Sequence, residues 1–232
     1  MSLPDRLAGV RARIAAAARS AARNPASVRL VAVSKTFSID AVHAAYDAGQ
    51  RDFGENRVQE ALLKVAASPH TDIRWHLLGH LQTNKARRAA SAFHAIHSID
   101  SVELLRKLDQ AADDAGSSPE LLIQVDLARE PTKFGAPPDV AAHVLHEAVN
   151  CRAVEVVGLM TIPPAVDNPE HARPWFRQLR ELRDQWLISG TPPSMLRELS
   201  MGMSGDFEVA VQEGATIVRV GTSIFGERPR LT

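Results

Sequence analysis

The chain has 232 residues, 45% of them apolar, and its 27 basic and 27 acidic side chains balance to a net charge of zero. A chain of this length buries a substantial core, while the charge balance favours neither nucleic acid nor an acidic membrane surface as a partner. The single cysteine, Cys151, excludes an intramolecular disulfide framework and fits a reducing, cytoplasmic compartment; no apolar run approaches the roughly 20 residues that cross a bilayer.

Residues 1–25 read as a helix packed on the domain that follows. Leu3, Leu7, Val10 and Ile14 recur on one helical face, with Arg6, Arg11, Arg13 and Arg19 largely elsewhere. Pro4 suits a first turn and Asn24-Pro25 stops the helix. The Arg- and Ala-rich composition with Asp5 as its single acid also suits an organelle transit peptide, and the structural helix is the preferred reading.

From there short apolar runs alternate with longer amphipathic stretches. The runs at 29–34, 52–54, 74–78, 95–98, 121–126, 154–159, 198–201 and 217–220 predict eight strands. Helices are expected at 39–49, 56–67, 83–91, 101–115, 138–150, 169–188 and 205–213, several opened by Ser, Asp or Asn. Strands joined by helical crossovers pair in parallel, and eight such units predict an α/β fold, a single-domain (β/α)8 TIM barrel over residues 26–232 with an extra N-terminal helix. An open doubly wound sheet is the alternative. Thr191-Pro-Pro-Ser194 reads as a helix-to-strand loop, and the units leave no stretch for a second folded module.

A barrel gathers its site at the C-terminal ends of its strands. The first strand ends at Lys35, and the choice of residue is informative because the chain holds 22 arginines and only 5 lysines. A desolvated lysine can lose its proton and attack a carbonyl, which a guanidinium cannot. After the seventh and eighth strands, Ser200-Met-Gly-Met-Ser-Gly205 and Gly221-Thr222-Ser223 supply hydroxyls and closely approachable backbone N–H groups, the usual place for a phosphate in this fold. A reactive amine facing an anion cradle suggests a phosphorylated carbonyl compound: a phosphosugar in a Schiff-base aldolase, or pyridoxal 5′-phosphate held as an internal aldimine. Alternation along the eighth strand turns Arg219 opposite to Val218 and Val220, and the expected direction is into the barrel mouth.

Val33-Ser-Lys35, Phe53-Gly-Glu-Asn56, Trp75-His76 with Gly79 and Leu81-Gln82-Thr-Asn-Lys85, Gly158-Leu-Met-Thr161, Leu199-Ser-Met-Gly-Met-Ser204, Val218-Arg219 with Gly221-Thr222, and Ile224-Phe-Gly226 together resemble the pyridoxal phosphate homeostasis protein family. The resemblance runs in order from about residue 28 to 228, and that family is similar in fold to the N-terminal barrel of alanine racemase. It implies that Lys35 is the Schiff-base lysine, that Ser204, Gly221 and Thr222 hold the phosphate, and that Arg219 faces the pyridine nitrogen. It places Asn56, Met160, Ser200 and Met203 along the ring. The chain departs from the family's pattern at His80, in a variable motif position, and in Glu130-Pro-Thr-Lys133, where Thr132-Lys133 replaces a more usual serine-lysine pair.

An arginine at the ring nitrogen donates a hydrogen bond but does not hold a proton there, which leaves the ring a weak electron sink. Racemisation also needs a second base, which alanine racemase takes from a tyrosine of a separate domain; Tyr46, the sole tyrosine here, falls in the first barrel helix. His76, His80, Asp100 and Asp126 are the remaining acid/base candidates at the mouth. His94, His97, His143 and His146 do not form a metal set, and Cys151 falls in a helix-to-strand loop away from the site. The expectation is a monomeric protein that stores or delivers pyridoxal phosphate to pyridoxal phosphate-dependent apoenzymes in vitamin B6 homeostasis, with no catalytic residue and no metal. An active racemase or lyase and a Schiff-base aldolase are the alternatives.

Overall fold

A computed structural model describes residues 1–129 and 134–227. The strands are β1 (Arg29–Val33), β2 (Asp52–Glu55), β3 (Arg74–Leu77), β4 (Ala95–Ile99), β5 (Glu120–Gln124), β6 (Glu155–Met160), β7 (Glu198–Ser200) and β8 (Ile217–Val220). Each pairs in parallel with the next, and β8 returns to β1 with Arg29 opposite Ile217 and Ala32 opposite Val220, so eight strands close a barrel. This is a single-domain TIM barrel, and the open-sheet alternative is excluded by the β1–β8 ladder.

The helices are α1 (Leu3–Ser20), α2 (Ile39–Asp47), α3 (Val58–Ala67), α4 (Ala86–Ala92), α5 (Val102–Ala115), α6 (Pro138–Ala148), α7 (Arg173–Ile188), α8 (Phe207–Gln212) and α9 (Thr222–Phe225). Local chemistry sets several of their starts. Ser38 and Ser101 accept hydrogen bonds from the N–H groups of Ala41 and Leu104, and Ser2 forms a reciprocal capping box with Asp5. The predicted helix at 169–188 begins as a 3-10 turn, Pro169–Ala172, and becomes α-helical at Arg173, one residue before Pro174, which suits a helix's first turn. Pro193–Leu196 is a 3-10 turn where a plain loop was expected, and α9 went unpredicted because four residues are too few for periodicity.

The core has two parts. Most buried apolar side chains lie between the strands and the outer helices, including Phe53, Leu105, Leu121, Phe176 and Phe207. A smaller cluster of Val31, Val33, Leu78, Leu122, Val157, Met160 and Ile217 fills the barrel interior. Helix α1 buries Leu7, Val10, Ile14, Ala17 and Ala18 and lies against α8 and α9. Arg6 donates to the Ile224 carbonyl (2.6 Å), and the Arg13 guanidinium covers the Phe207 ring at 4.6 Å. The segment Glu130–Lys133, where the sequence departs from the family pattern, lies outside the described residues. Among the described residues no helix is long and apolar enough to cross a membrane.

Candidate functional site

Lys35 sits two residues past β1 in a tight turn closed by a hydrogen bond from the Phe37 N–H to the Ser34 carbonyl (3.1 Å). Thr36, the turn's third residue, has φ +69°, a left-handed conformation that a β-branched side chain rarely adopts. The turn is anchored from below. Ser34 is fully buried and donates through Oγ to Glu55 Oε1 (2.6 Å), while Lys64 of α3 donates to both Glu55 Oε1 (2.6 Å) and the Ser34 carbonyl (2.7 Å). Glu55 falls within the Phe53-Gly-Glu-Asn56 motif without a role of its own there, and Lys64 is missed by the sequence reading, although a lysine where the chain otherwise prefers arginine is an available signal.

Lys35, Asn56, Met203, Ser204, Arg219, Gly221 and Thr222 line one cavity of about 270 Å³ at the C-terminal end of the barrel. Met160 and Ser200 are fully buried below it: Met160 packs in the interior cluster, and Ser200 accepts a hydrogen bond from Arg219 Nη1 (2.7 Å). Neither of these two expected ring-lining residues lines the cavity itself: Met160 shares its cluster with Leu78 and Val33, and Ser200 bonds Arg219, and those three are the lining residues.

On one wall the loops after β7 and β8 meet. Ser204 Oγ accepts from the N–H of Gly221 (3.2 Å) and of Ser223 (3.5 Å), joining the loops around a cluster of hydroxyls and backbone donors. A Cβ on Gly221 would lie 3.1 Å from the Val33 carbonyl oxygen, so a side chain there would crowd β1. Asp206 accepts from the Met203 N–H (2.6 Å) and holds the loop's shape; burial pushes its carboxyl above the usual range.

Arg219 is 4% exposed, with Nη1 donating to Ser200 and Nη2 to the Thr161 carbonyl (2.9 Å). Burial lowers its pKa to about 10, partly offset by the charge of Asp206, so it stays cationic at neutral pH. The bonds named use two of the five N–H donors of a guanidinium, and the side chain lines the cavity.

Of the acid/base candidates, His80 and Asp126 line an adjoining cavity of about 430 Å³ that shares Asn56, Leu78 and Ile162 with the first. His80 lies 3.4 Å from Asp100 and stacks on Phe134 with ring centres 3.9 Å apart. Burial raises the Asp100 carboxyl, opposed by the histidine. Gly79 lets the loops after β2 and β3 touch here, since a Cβ on it would lie 2.2 Å from the Asn56 carbonyl oxygen. His76 is not at the mouth as expected: it is the third residue of β3, points into the barrel and is fully buried. Its Nδ1 lies 2.9 Å from Nε2 of the equally buried His97.

The remaining candidates fall away from the cavity. Tyr46 donates to Asp72 and stacks on His70 at 3.8 Å, next to Arg51. Cys151 follows α6 in the connection to β6, and burial with nearby Asp109 raises its thiol pKa to about 11, leaving little thiolate. His143 and His146 are exposed on α6, and no group of three metal-ligating side chains occurs among the described residues.

Comparison with known proteins adds an independent line. The family described as alanine racemase, N-terminal domain, matches residues 6–229. The pyridoxal phosphate homeostasis protein of Aquifex aeolicus is 42% identical over 228 residues, covering 98% of this chain and 99% of its own. The human protein of the same name is 41% identical over 211 residues, 86% of this chain and 76% of that one. PipY of Synechococcus elongatus, solved with pyridoxal phosphate bound, superposes with a TM-score of 0.86 at 42% identity, covering 97% of this chain and all (100%) of that one. An alanine racemase of Clostridium difficile shares only the fold, with a TM-score of 0.73 at 14% identity over 97% of this chain and 57% of the racemase. The chain belongs to the pyridoxal phosphate homeostasis proteins, a family built on the barrel of the alanine racemase N-terminal domain.

Proposed function

We propose that this protein binds pyridoxal 5′-phosphate in the Lys35 cavity and serves intracellular vitamin B6 homeostasis as a store or donor of the cofactor, without robust catalysis. The observation that carries this reading is the convergence, in one cavity, of an amine, a buried guanidinium and a cluster of hydroxyls and backbone N–H groups. That donor set fits the group. Pyridoxal phosphate presents an aldehyde, an aromatic ring with a nitrogen acceptor and a phosphate dianion. Lys35 would be its reversible covalent attachment point, and Ser204, Gly221 and Thr222, which line the same cavity, would hold the phosphate. Arg219 would donate to the ring nitrogen, with Asn56 and Met203 beside the ring and Met160 and Ser200 supporting it from below.

When bound, pyridoxal phosphate supplies an electrophilic carbon and a conjugated ring that withdraws electrons. What the chain supplies around it decides how strongly that capacity is used. A guanidinium donates to the ring nitrogen without transferring a proton, which limits the ring as an electron sink. The names borne by the relatives support the carrier reading, as does the bound cofactor in PipY. On this reading residues 26–232 are the cofactor-binding barrel and residues 1–25 brace it, the protein acts as a monomer in the cytoplasm, and pyridoxal phosphate-dependent apoenzymes are the recipients. The His80–Asp100 pair beside the cavity favours a second reading, slow proton exchange on a bound amino acid.

The test is spectroscopic. After incubation with pyridoxal phosphate the protein is expected to show a visible absorption band, and borohydride is expected to fix a pyridoxyl group on Lys35 by peptide mass. Lys35→Ala should abolish the fixed adduct while the phosphate contacts retain weak binding. A wild-type protein with no band and no adduct overturns the proposal. Racemisation or cleavage of amino acids at ordinary enzyme rates overturns the non-catalytic part.

A further inference from the structure

The interior of this barrel carries a continuous polar chain. Asp52, at the start of β2, receives two hydrogen bonds from Arg74, of 2.8 and 2.6 Å, and lies 3.0 Å from His76 Nε2. His76 Nδ1 is 2.9 Å from His97 Nε2, and His97 Nδ1 is 2.9 Å from Ser200 Oγ. Ser200 Oγ in turn accepts from Arg219 Nη1 at 2.7 Å. The chain joins the strand starts at the barrel floor to the guanidinium that lines the Lys35 cavity at its mouth.

Only one arrangement of protons satisfies every link with neutral rings. Burial alone would raise the Asp52 carboxyl, but hydrogen bonds from His76 and Arg74 hold it well below the usual range, so it is a carboxylate and can only accept. His76 therefore carries its proton on Nε2 and accepts at Nδ1 from the Nε2–H of His97. His97 then accepts at Nδ1 from the Ser200 hydroxyl, whose lone pairs are left for Arg219. Burial holds both imidazoles below their usual pKa, which keeps them neutral as this order requires. Burying two imidazoles, a carboxylate and a guanidinium in place of aliphatic side chains is costly unless each is bonded. A chain with one direction commits the Ser200 proton to His97 and leaves its oxygen to accept from Arg219.

We propose that His97, His76 and Asp52 are positioning residues for the candidate cofactor site: their ordered hydrogen bonds take up the Ser200 hydroxyl proton, fix the place of its oxygen and thereby hold the Arg219 guanidinium at the cavity. The cofactor role of Arg219 rests on the function proposed above; its immobilisation by the chain does not. His97 touches no cavity surface and acts through Ser200 and Arg219 alone.

The two ideas are therefore tested separately. In the ¹⁵N-labelled protein without cofactor, histidine side-chain spectra between pH 6 and 8 should show His76 and His97 neutral and protonated on Nε2. The guanidinium N–H signals of Arg219 should be resolved by slow rotation in the wild type, averaged in His97→Leu, and resolved again in His97→Gln, whose amide can both accept and donate. A cationic or Nδ1-protonated ring at either position, or unchanged Arg219 signals in His97→Leu, overturns the proposal whatever binds. Should His97→Leu not fold, Ser200→Ala breaks the same chain with a smaller change and is held to the same outcome. With pyridoxal phosphate bound, His97→Leu should release it about tenfold faster, the scale of one hydrogen bond involving a charged group, and shift the pyridine ¹⁵N resonance. A fall in melting temperature with neither change would show a merely structural role and sink the idea.

Discussion

Lys64 Nζ lies 2.6 Å from Glu55 Oε1 and 2.7 Å from the Ser34 carbonyl oxygen, so a nearly buried ion pair braces the residue that precedes Lys35. Glu55 Oε2 has no hydrogen-bond partner, which makes the carboxylate dependent on the lysine and the Ser34 hydroxyl. Removing one partner of a buried pair leaves the other charge uncompensated, at about 3–5 kcal/mol. Lys64→Met is expected to lower unfolding free energy by about that amount in urea. Lys64→Met combined with Glu55→Leu should recover most of it. Equal loss in the single and double variants would show that the pair contributes little beyond packing.

The Ser204 cradle predicts a selective defect. Ser204→Ala removes the hydroxyl that joins the β7 and β8 loops and is expected to weaken pyridoxal phosphate binding about tenfold or more, the scale of a hydrogen bond to a charged group. Binding of pyridoxal, which lacks the phosphate, should change little. Equilibrium titrations of both ligands decide the matter, and an equal loss for the two would move the phosphate elsewhere.

Gly79→Ala is expected to damage stability and binding together. Its Cβ would meet the backbone of Asn56 at 2.2 Å, a contact that no rotamer relieves. Overpacking of this kind costs about 1–3 kcal/mol, and the relief available is a shift of Asn56, which lines the cavity. Denaturation should report the first effect and cofactor titration the second. An unchanged affinity would mean that Asn56 is not a binding residue.

The buried histidines set the pH dependence of stability. Burial holds the folded pKa of both His76 and His97 below the usual imidazole value. Below about pH 6.5 the unfolded chain takes up protons that the folded chain refuses, so stability falls as pH falls. Each histidine contributes about 1.4 kcal/mol per pH unit in that window. Above about pH 7 both are neutral in both states and their contribution is flat. Half-buried His94, also lowered by burial, adds a smaller share. Urea midpoints from pH 7.5 down to 5 should trace this slope, and His97→Leu should make it shallower; an unaltered slope would rule out His97 as a source.

Much of the architecture was legible because its signals are local. Each strand is a short apolar run, and the Ser38 and Ser101 caps sit where the residue types imply. The convergence of Lys35, Ser204, Arg219 and Gly221 on one cavity was legible because a barrel's topology brings its strand ends together, so position along the chain translates into position at the mouth. The interior chain was hidden for the opposite reason. His76 and His97 are 21 residues apart and His97 and Ser200 are 103 apart, and no spacing rule links side chains that meet only across a closed barrel. Inward or outward orientation was also ambiguous for His76: Arg74-Trp75-His76-Leu77 alternates, but in a four-residue strand buried on both faces beyond Arg74 the alternation does not say which face is the barrel interior.

The ladder between β1 and β8 gives this sheet no first or last strand. In the proposed role of store or donor the protein would have to survive empty, and an open sheet would then present unpaired N–H and C=O groups to its neighbours. In a closed ring those groups bond within the barrel whether or not the cavity is filled. Emptying the site consequently exposes a few polar loops and no template for strand addition, so the unloaded form should resist aggregation as well as the loaded one.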